Sequence, residues 1–451
     1  MLKNYLKIAL RNIKKHKGYS LINIAGLAVG MTCCILILLW VQDELSYDRY
    51  HENADRIYRI TYAEEIGDAF DHYAVSPFAA APAFAAEVPG IIAYTRLWQR
   101  SGLIKYAGNH FDERDIFYAD KDFFQIFSHE FVTGDPATAL ESPGSIVLTR
   151  NMAKKIFGDK DALGETLNLS ADGDLQVTGV VEDVPRNSHF RFNCLVSINT
   201  IQGRRAEFLD AWLVLAGRSY LLLDENFEAK IIEQKIAPVV EKHTGEDARK
   251  YGTKMFYYLQ PLTDIHLKSN LEGEIEGNGD IRYVYVFSLI AVFILLIACI
   301  NFMNLSTARS ANRGKEVGLR KVLGAPKRRL ILQFLIESTG FAFVALILTI
   351  NLIWFLLPYF NDLTGKELSM ANLMRWGVVF GLFGLVGFTG LTAGSYPAFY
   401  LSSFQPLETI RQKRQKGLGR SALRNILVIL QFAISIALII STFIVLKQLN
   451  F

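Results

Sequence analysis

The chain contains 451 residues, of which 51% are hydrophobic and 20% are charged, and its formal net charge is +4. A water-soluble protein of this length would carry fewer apolar residues, and a bundle of membrane helices without other domains would carry more. The composition therefore excludes both extremes and indicates a protein that is partly embedded in a membrane and partly water-soluble. No nucleic-acid partner is expected.

Residues 1–17 are predicted to form an amphipathic helix at the membrane surface. Apolar residues such as Leu6 and Leu10 recur at helical spacing, and basic residues such as Lys7 and Lys14 fill the neighbouring face. A helix of this kind lies in the interface with its lysines toward anionic headgroups, so membrane lipids are an expected partner. A simple topology anchor is the alternative, but it explains the charge and not the periodicity.

Five charge-free stretches are long enough to cross about 30 Å of hydrocarbon, which takes about 20 apolar residues in a helix. They are residues 18–42, 283–308, 338–361, 376–407 and 425–446. Backbone polar groups cannot stay unpaired in lipid, so each stretch is expected to be helical. The first stretch is too long for the core of a signal peptide and is interpreted as a retained span.

The distribution of charge predicts the orientation of these spans. Residues 1–17, 309–337 and 408–424 together carry 20 basic and three acidic residues, whereas residues 43–282 carry 25 basic and 39 acidic ones. Because cytoplasmic loops are enriched in Lys and Arg, the N-terminus is predicted to be cytoplasmic and residues 43–282 to lie outside the cytoplasm. The predicted fold class is a multi-pass α-helical membrane protein with five spans and a large α+β domain inserted between the first two.

The predicted exported domain contains strand-like runs interleaved with helical ones. One run alternates on a single face: Tyr58, Ile60 and Tyr62. Thr149 is suited to cap a helix over residues 150–157, and Gly158 is suited to end it. A mixed α+β architecture follows from this pattern.

Two polar features of this domain contain residue types that can bind metals. His189 lies near Glu182 and Asp183, but a surface or turn motif explains it better than a metal site. The acidic run around Glu272 and Glu274 lacks the spacing of a calcium-binding EF-hand and is interpreted as a solvated loop. We therefore predict no catalytic, cofactor-binding or metal-binding residue.

The loop between the second and third spans, residues 309–337, has a pattern of its own. In a helix over residues 315–323, one face gathers three apolar side chains: Leu319, Val322 and Leu323. Gly324 is suited to stop this helix and Pro326 to lie in the first turn of the next. The pattern predicts a short amphipathic helix, parallel to the membrane, that could dock into a groove of a cytoplasmic partner. An ordinary basic loop is the alternative.

The same loop carries a run of ten residues with a recognisable pattern: Glu316, Val317, Gly318, Leu319, Arg320, Lys321, Val322, Leu323, Gly324 and Ala325. This run resembles the most specific motif of the MacB and FtsX permease family. Other stretches that resemble this family are residues 50–58, 145–149, 153–158, 187–190 and 394–400. The family contains the membrane subunits of certain ATP-binding-cassette (ABC) systems, and the resemblance extends over nearly the whole chain.

The resemblance implies a location and a partner. It implies that the chain lies in the bacterial inner membrane and that residues 43–282 form a MacB-like periplasmic core domain. It also implies that the run from Glu316 to Ala325 is the coupling helix, which docks on a cytoplasmic ABC ATPase.

The sequence provides no nucleotide-binding site of its own. A phosphate-binding loop needs correctly spaced glycines and a Lys before Ser or Thr, and the Gly417–Ser421 segment lacks both. We therefore expect that the chain is not an enzyme, binds no cofactor directly, and depends on a separate ATPase subunit that uses ATP.

The fourth predicted span is rich in glycine. It contains Gly377, Gly381, Gly384, Gly387, Gly390, Gly394 and then Pro397. Small residues allow membrane helices to approach closely, and proline interrupts helical hydrogen bonding. Ordinary helix packing and a hinge at Gly394 and Pro397 are equally compatible with this pattern.

A short repeat suggests an internal duplication. Residues 9–12 and 422–425 have the same sequence, Ala-Leu-Arg-Asn, and each leads from a basic stretch toward a span. In the long branch of the family two similar halves lie in tandem. Residues 408–424 are therefore expected to be a linker, and residues 425–446 to begin a second half that the chain does not contain. A true five-span protein is the alternative.

The leading functional hypothesis is a permease subunit that transmits ATPase motion to the periplasmic domain for export of a peptide, drug or lipoprotein. A periplasmic adaptor or outer-membrane channel would then be a further partner. The alternative is an FtsX-like regulator that activates a periplasmic cell-wall hydrolase without transport. A sensor is a third hypothesis, and the lack of a cytoplasmic output domain disfavours it.

Overall fold

The computed structural model describes residues 11, 17–170, 172–308, 317–402 and 418–449. Most of the predicted surface helix (residues 1–17) and most of the basic linker (residues 408–424) lie outside the described residues. The chain divides into two compact units. The inserted domain is Asp43–Ile281, and the membrane unit comprises Met1–Gln42 and Arg282–Phe451.

Helix α1 (Lys17–Glu44) precedes the inserted domain, in which strands and helices are interleaved. The strands are β1 (Ile57–Ile66), β2 (Ala69–Tyr73), β3 (Ser76–Pro77), β4 (Ile91–Tyr106), β5 (Asn109–Ala119), β6 (Phe131–Gly134), β7 (Ser145–Thr149), β8 (Thr166–Leu169), β9 (Gly173–Val181), β10 (Cys194–Ser197), β11 (Leu215–Leu223) and β12 (Thr253–Pro261). The helices are α2 (Ala80–Glu87), α3 (Phe123–Ile126), α4 (Arg150–Phe157), α5 (Asn199–Leu209), α6 (Ala229–Tyr251) and α7 (Leu262–Lys268).

The strands that the structure describes in this domain form one mixed sheet. The order along its main path is β12-β1-β11-β4-β5-β10-β7-β9-β6, while β2 pairs with β1, β3 with β11, and β8 with both β4 and β9. The β5–β10 and β7–β9 pairs are parallel, and the other pairs are antiparallel. The predicted mixed α+β architecture is confirmed.

Hydrophobic cores cover both faces of the sheet. On one face, helices α2 and α6 pack over the β12-β1-β11 end, and α4 and α5 pack over the β5-β10-β7-β9 end. On the other face, a core rich in phenylalanine packs with α3 and α7. The predicted alternation of β1 is confirmed, because Tyr58, Ile60 and Tyr62 join the α2–α6 core while Ile57 joins the opposite one.

The predicted ends of helix α4 are also confirmed. The hydroxyl oxygen of Thr149 accepts a hydrogen bond from the backbone N–H of Met152 (3.4 Å), which satisfies a donor that the first helical turn leaves unpaired. Gly158 follows the helix with φ +64°, a conformation that glycine adopts without steric cost.

The membrane unit contributes the remaining elements. They are α8 (Ile281–Ala308), α9 (317–322), α10 (Lys327–Thr364), α11 (Met370–Met374), α12 (Trp376–Ser402) and α13 (Leu418–Leu449). Among the described residues, α1, α8, α10 and α12 are long and apolar enough to cross a membrane. The apolar stretch of α13, Val428–Ser441, is shorter. The fifth predicted span therefore stays a prediction.

The four long helices share one apolar core, to which α1 contributes Leu27, Met31 and Leu39. Small residues bring the helices close together: a Cβ at Gly30 would lie only 2.6 Å from the Cβ of Ala298 on α8. A hydrogen bond from the Thr349 hydroxyl on α10 to the Ala28 carbonyl oxygen (3.1 Å) joins α10 to α1.

Candidate functional site

The short helix α9 ends in a hydrogen-bonded cap. The backbone N–H of Ala325 donates to the carbonyl of Arg320, and that of Gly324 donates to the carbonyl of Lys321, both at 3.0 Å. This pair of bonds is the Schellman pattern, and Gly324 has the positive φ (+86°) that it requires. The predicted stop at Gly324 is confirmed. Pro326 precedes α10 as its N-cap instead of lying in its first turn, because α10 begins at Lys327.

One face of α9 packs against the membrane helices α10 and α12. Val317 is buried in a small core with Leu330 and Phe334 of α10 and Ala398 of α12.

Two charged side chains next to this core reinforce the attachment. Arg320 Nη1 donates a hydrogen bond to Gln333 Oε1 of α10 at 2.7 Å, and Lys321 Nζ donates one to the Ser402 carbonyl of α12 at 2.6 Å. Helix α9 is therefore held on both α10 and α12.

The other face of α9 is apolar and exposed. Leu319, Val322 and Leu323 are 63%, 61% and 78% exposed, and we call these three residues the docking face. They are the residues that the sequence predicts on one side of the helix. An exposed apolar helix face next to basic residues is suited to insertion into a groove of another protein. Gly318 lies within α9, whereas Glu316 lies outside the described residues.

The glycines of α12 divide into two groups. At Gly390 an added Cβ would lie 2.5 Å from Thr339 Oγ1, and at Gly394 it would lie 2.7 Å from Ser338 Oγ. These two glycines allow α12 to approach α10 closely, which is the packing role considered for them. Pro397 lies inside α12. A hinge at Gly394 and Pro397 stays a prediction.

In the inserted domain, the segment that follows α1 is held to the sheet by a buried cluster around Asp48. Asp48 Oδ1 accepts hydrogen bonds from the backbone N–H of His189 (3.1 Å) and from Ser188 Oγ (3.2 Å), and it lies 2.9 Å from His189 Nδ1. His189 Nε2 lies 2.8 Å from the hydroxyl of Tyr220 on β11. Burial alone would raise the pKa of Asp48, but the contacts with His189 bring it below its ordinary value.

This cluster corrects one interpretation made from the sequence. The prediction of a surface or turn motif is wrong as to the surface, because the His189 side chain is only 2% exposed. The imidazole bridges the segment after α1 and strand β11, and buried polar groups of this kind need such partners.

Two further histidines lie beside this cluster. His51 is buried, and its Nδ1 accepts a hydrogen bond from the backbone N–H of Ser128 at 3.1 Å. The ring of His129 lies 5.8 Å from the ring of His51, measured between centroids. Burial lowers the pKa of His51 to about 4, and burial together with the neighbouring His51 lowers the pKa of His129 to about 3.

The segment that leads toward α8 is held by a second buried contact. The guanidinium of Arg59, on β1, is fully buried and makes two hydrogen bonds to the carboxylate of Glu274, at 2.6 and 2.8 Å. Ser269 Oγ donates to Glu274 Oε1 at 2.6 Å, and Gln260 Oε1 accepts from Arg59 Nη2 at 2.6 Å. Burial would raise the pKa of Glu274, but Arg59 brings it below its ordinary value.

The interpretation of the acidic run as a solvated loop is therefore wrong at Glu274. Its side chain is only 14% exposed. A bidentate pair of this kind fixes both the position and the orientation of the segment.

The two connecting segments also meet each other within the inserted domain. Glu44 Oε2 lies 2.8 Å from His266 Nε2, and the ring of Tyr47 stacks on that imidazole with a centroid distance of 3.4 Å. A Cβ at Gly279 would lie 3.0 Å from Glu44 Oε2 and 3.1 Å from His266 Nε2. His266 thus lies between the residues that leave α1 and those that lead to α8.

Within the ranges that the structure describes, no group of three or more His, Cys, Asp or Glu residues is arranged to hold a metal ion. Both segments that connect the inserted domain to membrane helices are tied to the sheet by buried polar contacts, so a displacement of either segment would strain those contacts.

Together, the apolar helices and the inserted mixed-sheet domain define a membrane protein with a large extramembrane domain. The sequence model of the MacB-like periplasmic core domain matches residues 20–236, and that of the FtsX-like permease C-terminal region matches residues 288–406. The chain belongs to the MacB/FtsX family of ABC transporter permeases.

Curated relatives agree with this assignment. The chain is 25% identical to the macrolide export ATP-binding/permease protein MacB of Bdellovibrio bacteriovorus, over 59% of this chain and 38% of that protein. It is 22% identical to the uncharacterized ABC transporter permease YknZ of Bacillus subtilis, over 90% of this chain and 98% of that protein. The chain spans less than half the length of the MacB relatives it matches.

Two of the solved structures that match the chain cover about half of it. A domain of a putative permease protein from Porphyromonas gingivalis matches with a TM-score of 0.42 and 23% identity, over 47% of this chain and 91% of that structure. The periplasmic region of MacB from Actinobacillus actinomycetemcomitans matches with a TM-score of 0.32 and 14% identity, over 45% of this chain and 89% of that structure.

The buried Arg59–Glu274 pair predicts an asymmetric response to mutation. Arg59→Met leaves the Glu274 carboxylate buried without its partner, so we expect a loss of about 3–5 kcal/mol in the free energy of unfolding. Urea denaturation of residues 43–281, followed by circular dichroism, measures this loss. Arg249→Met is the control, because the Arg249–Glu241 pair is about two-thirds exposed at both ends and should change stability by less than about 1 kcal/mol. Equal effects of the two substitutions would contradict the assignment.

The lowered pKa of His51 predicts a loss of stability in mild acid. The unfolded chain takes up a proton as the pH falls through about 6.5, whereas folded His51 stays neutral down to about 4. The stability contributed by neutral His51 is therefore present above pH 6.5 and is lost as the pH falls from 6.5 toward 4, by up to roughly 1.4 kcal/mol per pH unit. The lowered pKa values of Asp48 and Glu274 add their own loss only as the pH approaches about 4.

The matched test of this pH dependence is His51→Asn, which retains an acceptor for the Ser128 N–H. The variant should have a flatter stability profile between pH 6.5 and 5 in urea denaturation. Substitution of the exposed His110 by Asn is the control, and it should leave the pH dependence of stability unchanged. A His51→Asn profile as steep as that of the unsubstituted domain would show that the proton is taken up elsewhere.

Proposed function

We propose that this chain is a permease subunit that receives the motion of a separate cytoplasmic ABC ATPase through α9. The observation that carries the proposal is that one face of α9 is attached to other helices and the other face is exposed. Val317, Arg320 and Lys321 hold it to α10 and α12, while the docking face stays exposed. A helix attached on one side and exposed on the other can transfer a displacement from a partner to the helices behind it.

The proposed topology has a cytoplasmic N-terminus, α9 on the cytoplasmic side and the inserted domain in the periplasm. The excess of basic residues around α9 and the excess of acidic residues in the inserted domain support this orientation. The proposed topology also includes α13 as a fifth span.

The output of the system is proposed to be a change in the inserted domain. Because the segments around Asp48 and Glu274 are tied to the sheet, movements of α1 and α8 would act on that sheet. We propose export of a peptide, drug or lipoprotein from the cell envelope. The names of two relatives, the macrolide export protein MacB and the probable syringafactin export protein SyfD of Pseudomonas syringae, support this class of output.

A regulatory output is the second candidate. The match to the FtsX-like permease region favours it, since the same motion would activate a periplasmic cell-wall hydrolase without transport. Affinity capture with the inserted domain distinguishes the two: an adaptor or outer-membrane channel among the bound proteins favours export, and a hydrolase favours regulation.

The docking proposal predicts a localised defect. Leu319→Asp combined with Leu323→Asp places two carboxylates on the apolar face, so the ATPase should bind at least about 30-fold more weakly, as for the loss of a hot spot of about 2 kcal/mol. Co-purification and the ATPase activity of the complex measure the effect. Leu363→Asp is the control: Leu363 is 84% exposed on α10 but lies near the helix end remote from α9, so binding should be unchanged.

The docking-face variant and the Leu363→Asp control are interpreted together. If the Leu319 and Leu323 variant still binds and stimulates the ATPase like the unsubstituted chain, α9 is not the docking site. If the control is equally defective, the loss reflects general misfolding, and the proposal has no support from the experiment.

A further inference from the structure

A groove with a volume of about 750 Å³ lies between α1 and α12. Its lining is mostly apolar and includes Leu38, Leu39, Leu385 and Phe388, while Gln42 and Arg375 contribute polar groups. The volume is within the range of small-molecule binding sites, about 300–1,000 Å³.

The glycines leave room on the α12 side of the groove. A Cβ added at Gly377, Gly381 or Gly384 would meet no atom within 4 Å. The opposite side of α12, which includes Val386 and Ala393, is buried in the core of the membrane unit. The lining residues Val378, Leu382 and Leu385 pack partly against the same core, so the glycines form a recess beside it.

One end of the groove is polar and carries a positive charge. Gln42 lies near the end of α1, and Arg375 directly precedes α12. Because successive spans alternate in direction, these two residues are at the same end. Among the residues that the structure describes, none forms an ion pair with the Arg375 guanidinium.

Aromatic residues indicate that this end lies at a membrane–water interface. Trp376 follows Arg375 and is 77% exposed, and Tyr359, near the neighbouring end of α10, is 65% exposed. Tryptophan and tyrosine concentrate at the level of the lipid headgroups. An arginine at that level is positioned to meet a phosphate.

We propose that the groove binds one anionic phospholipid, with an acyl chain along the glycines of α12 and the phosphate at Arg375. The apolar walls match the chain, and the guanidinium matches the negative charge of the headgroup. Other occupants are α13 or a second copy of the chain. A phospholipid matches the observations better, because it supplies an apolar segment and an anion at the two places where the groove is apolar and cationic.

The bound lipid has a structural consequence. It fills the space between α1, which leads into the inserted domain, and α12, which is held to α9 by the Lys321 contact with Ser402. The lipid thus occupies a position between the two helices that the proposed function sets in motion. Its binding does not depend on that function.

The experiment uses the full chain reconstituted in membranes of equal parts phosphatidylglycerol and phosphatidylcholine. A phosphatidylglycerol probe carries a photoactivatable diazirine on its acyl chain. After irradiation, mass spectrometry maps the modified peptides. We expect modification to concentrate on residues 35–42 of α1 and 376–388 of α12, and excess unlabelled phosphatidylglycerol to compete better than phosphatidylcholine.

Two variants test the two parts of the site. Gly381→Leu combined with Gly384→Leu fills the groove and should lower labelling of these peptides about tenfold. Gly387→Leu is the matched control, because a Cβ there also meets no atom within 4 Å but Gly387 does not line the groove. Labelling of the α1 and α12 peptides should be unchanged in the Gly387→Leu variant.

Arg375→Gln tests the headgroup contact at an exposed position where substitution does not endanger the fold. It should reduce the preference for phosphatidylglycerol over phosphatidylcholine about fivefold. Labelling spread evenly over the lipid-facing surfaces of all spans, or labelling that the groove-filling variant does not reduce, would overturn the proposal. Protection of both peptides from every lipid would also overturn it, because another helix would then fill the groove.

Discussion

The constraint on which this structure depends is that lipid cannot satisfy backbone hydrogen bonds. The chain inside the membrane must therefore be helical, and a helix transmits displacement along its axis without bending much. Chemical recognition is confined to the ends, where side chains meet water. The short helix α9 lies at such an end and is held to α10 and α12 by Val317 and Lys321. Everything proposed about function follows from what happens at these helix ends.

The inserted domain is connected to α1 and α8, and it holds both connecting segments in place. It does so with buried polar pairs, Asp48 with His189 and Arg59 with Glu274. Arg59 joins one connecting segment to β1 directly, and His189 joins the other to β11 through the hydroxyl of Tyr220. Such pairs contribute little net stability compared with apolar packing, but they are costly to break and require a defined geometry. They are therefore suited to hold the two connecting segments at defined positions on the sheet.

Much of this could be predicted from the sequence because the signals are local. The alternation of Tyr58, Ile60 and Tyr62 and the docking face follow from periods of two and 3.6 residues. The spans follow from the length of the apolar runs, and the stop at Gly324 follows from the conformational freedom of glycine. The buried pairs could not be predicted, because their partners lie far apart in sequence: Arg59 and Glu274 are separated by 215 positions. A polar residue that will be buried looks like a surface residue until its partner is known, which is why His189 and Glu274 were misassigned. The buried Glu44–His266 contact left no signal for the same reason.

In the proposed function, motion enters at α9 on one side of the membrane and leaves through the inserted domain on the other. The most direct measurement is the accessibility of single cysteines to a membrane-impermeant thiol reagent in sealed inverted vesicles and in intact spheroplasts. The positions are Leu323, on the docking face, and Glu225, whose side chain is 75% exposed in the inserted domain, with the four native cysteines replaced. The account predicts labelling of Leu323→Cys only in inverted vesicles and of Glu225→Cys only in spheroplasts. Labelling of both from the same side would contradict it.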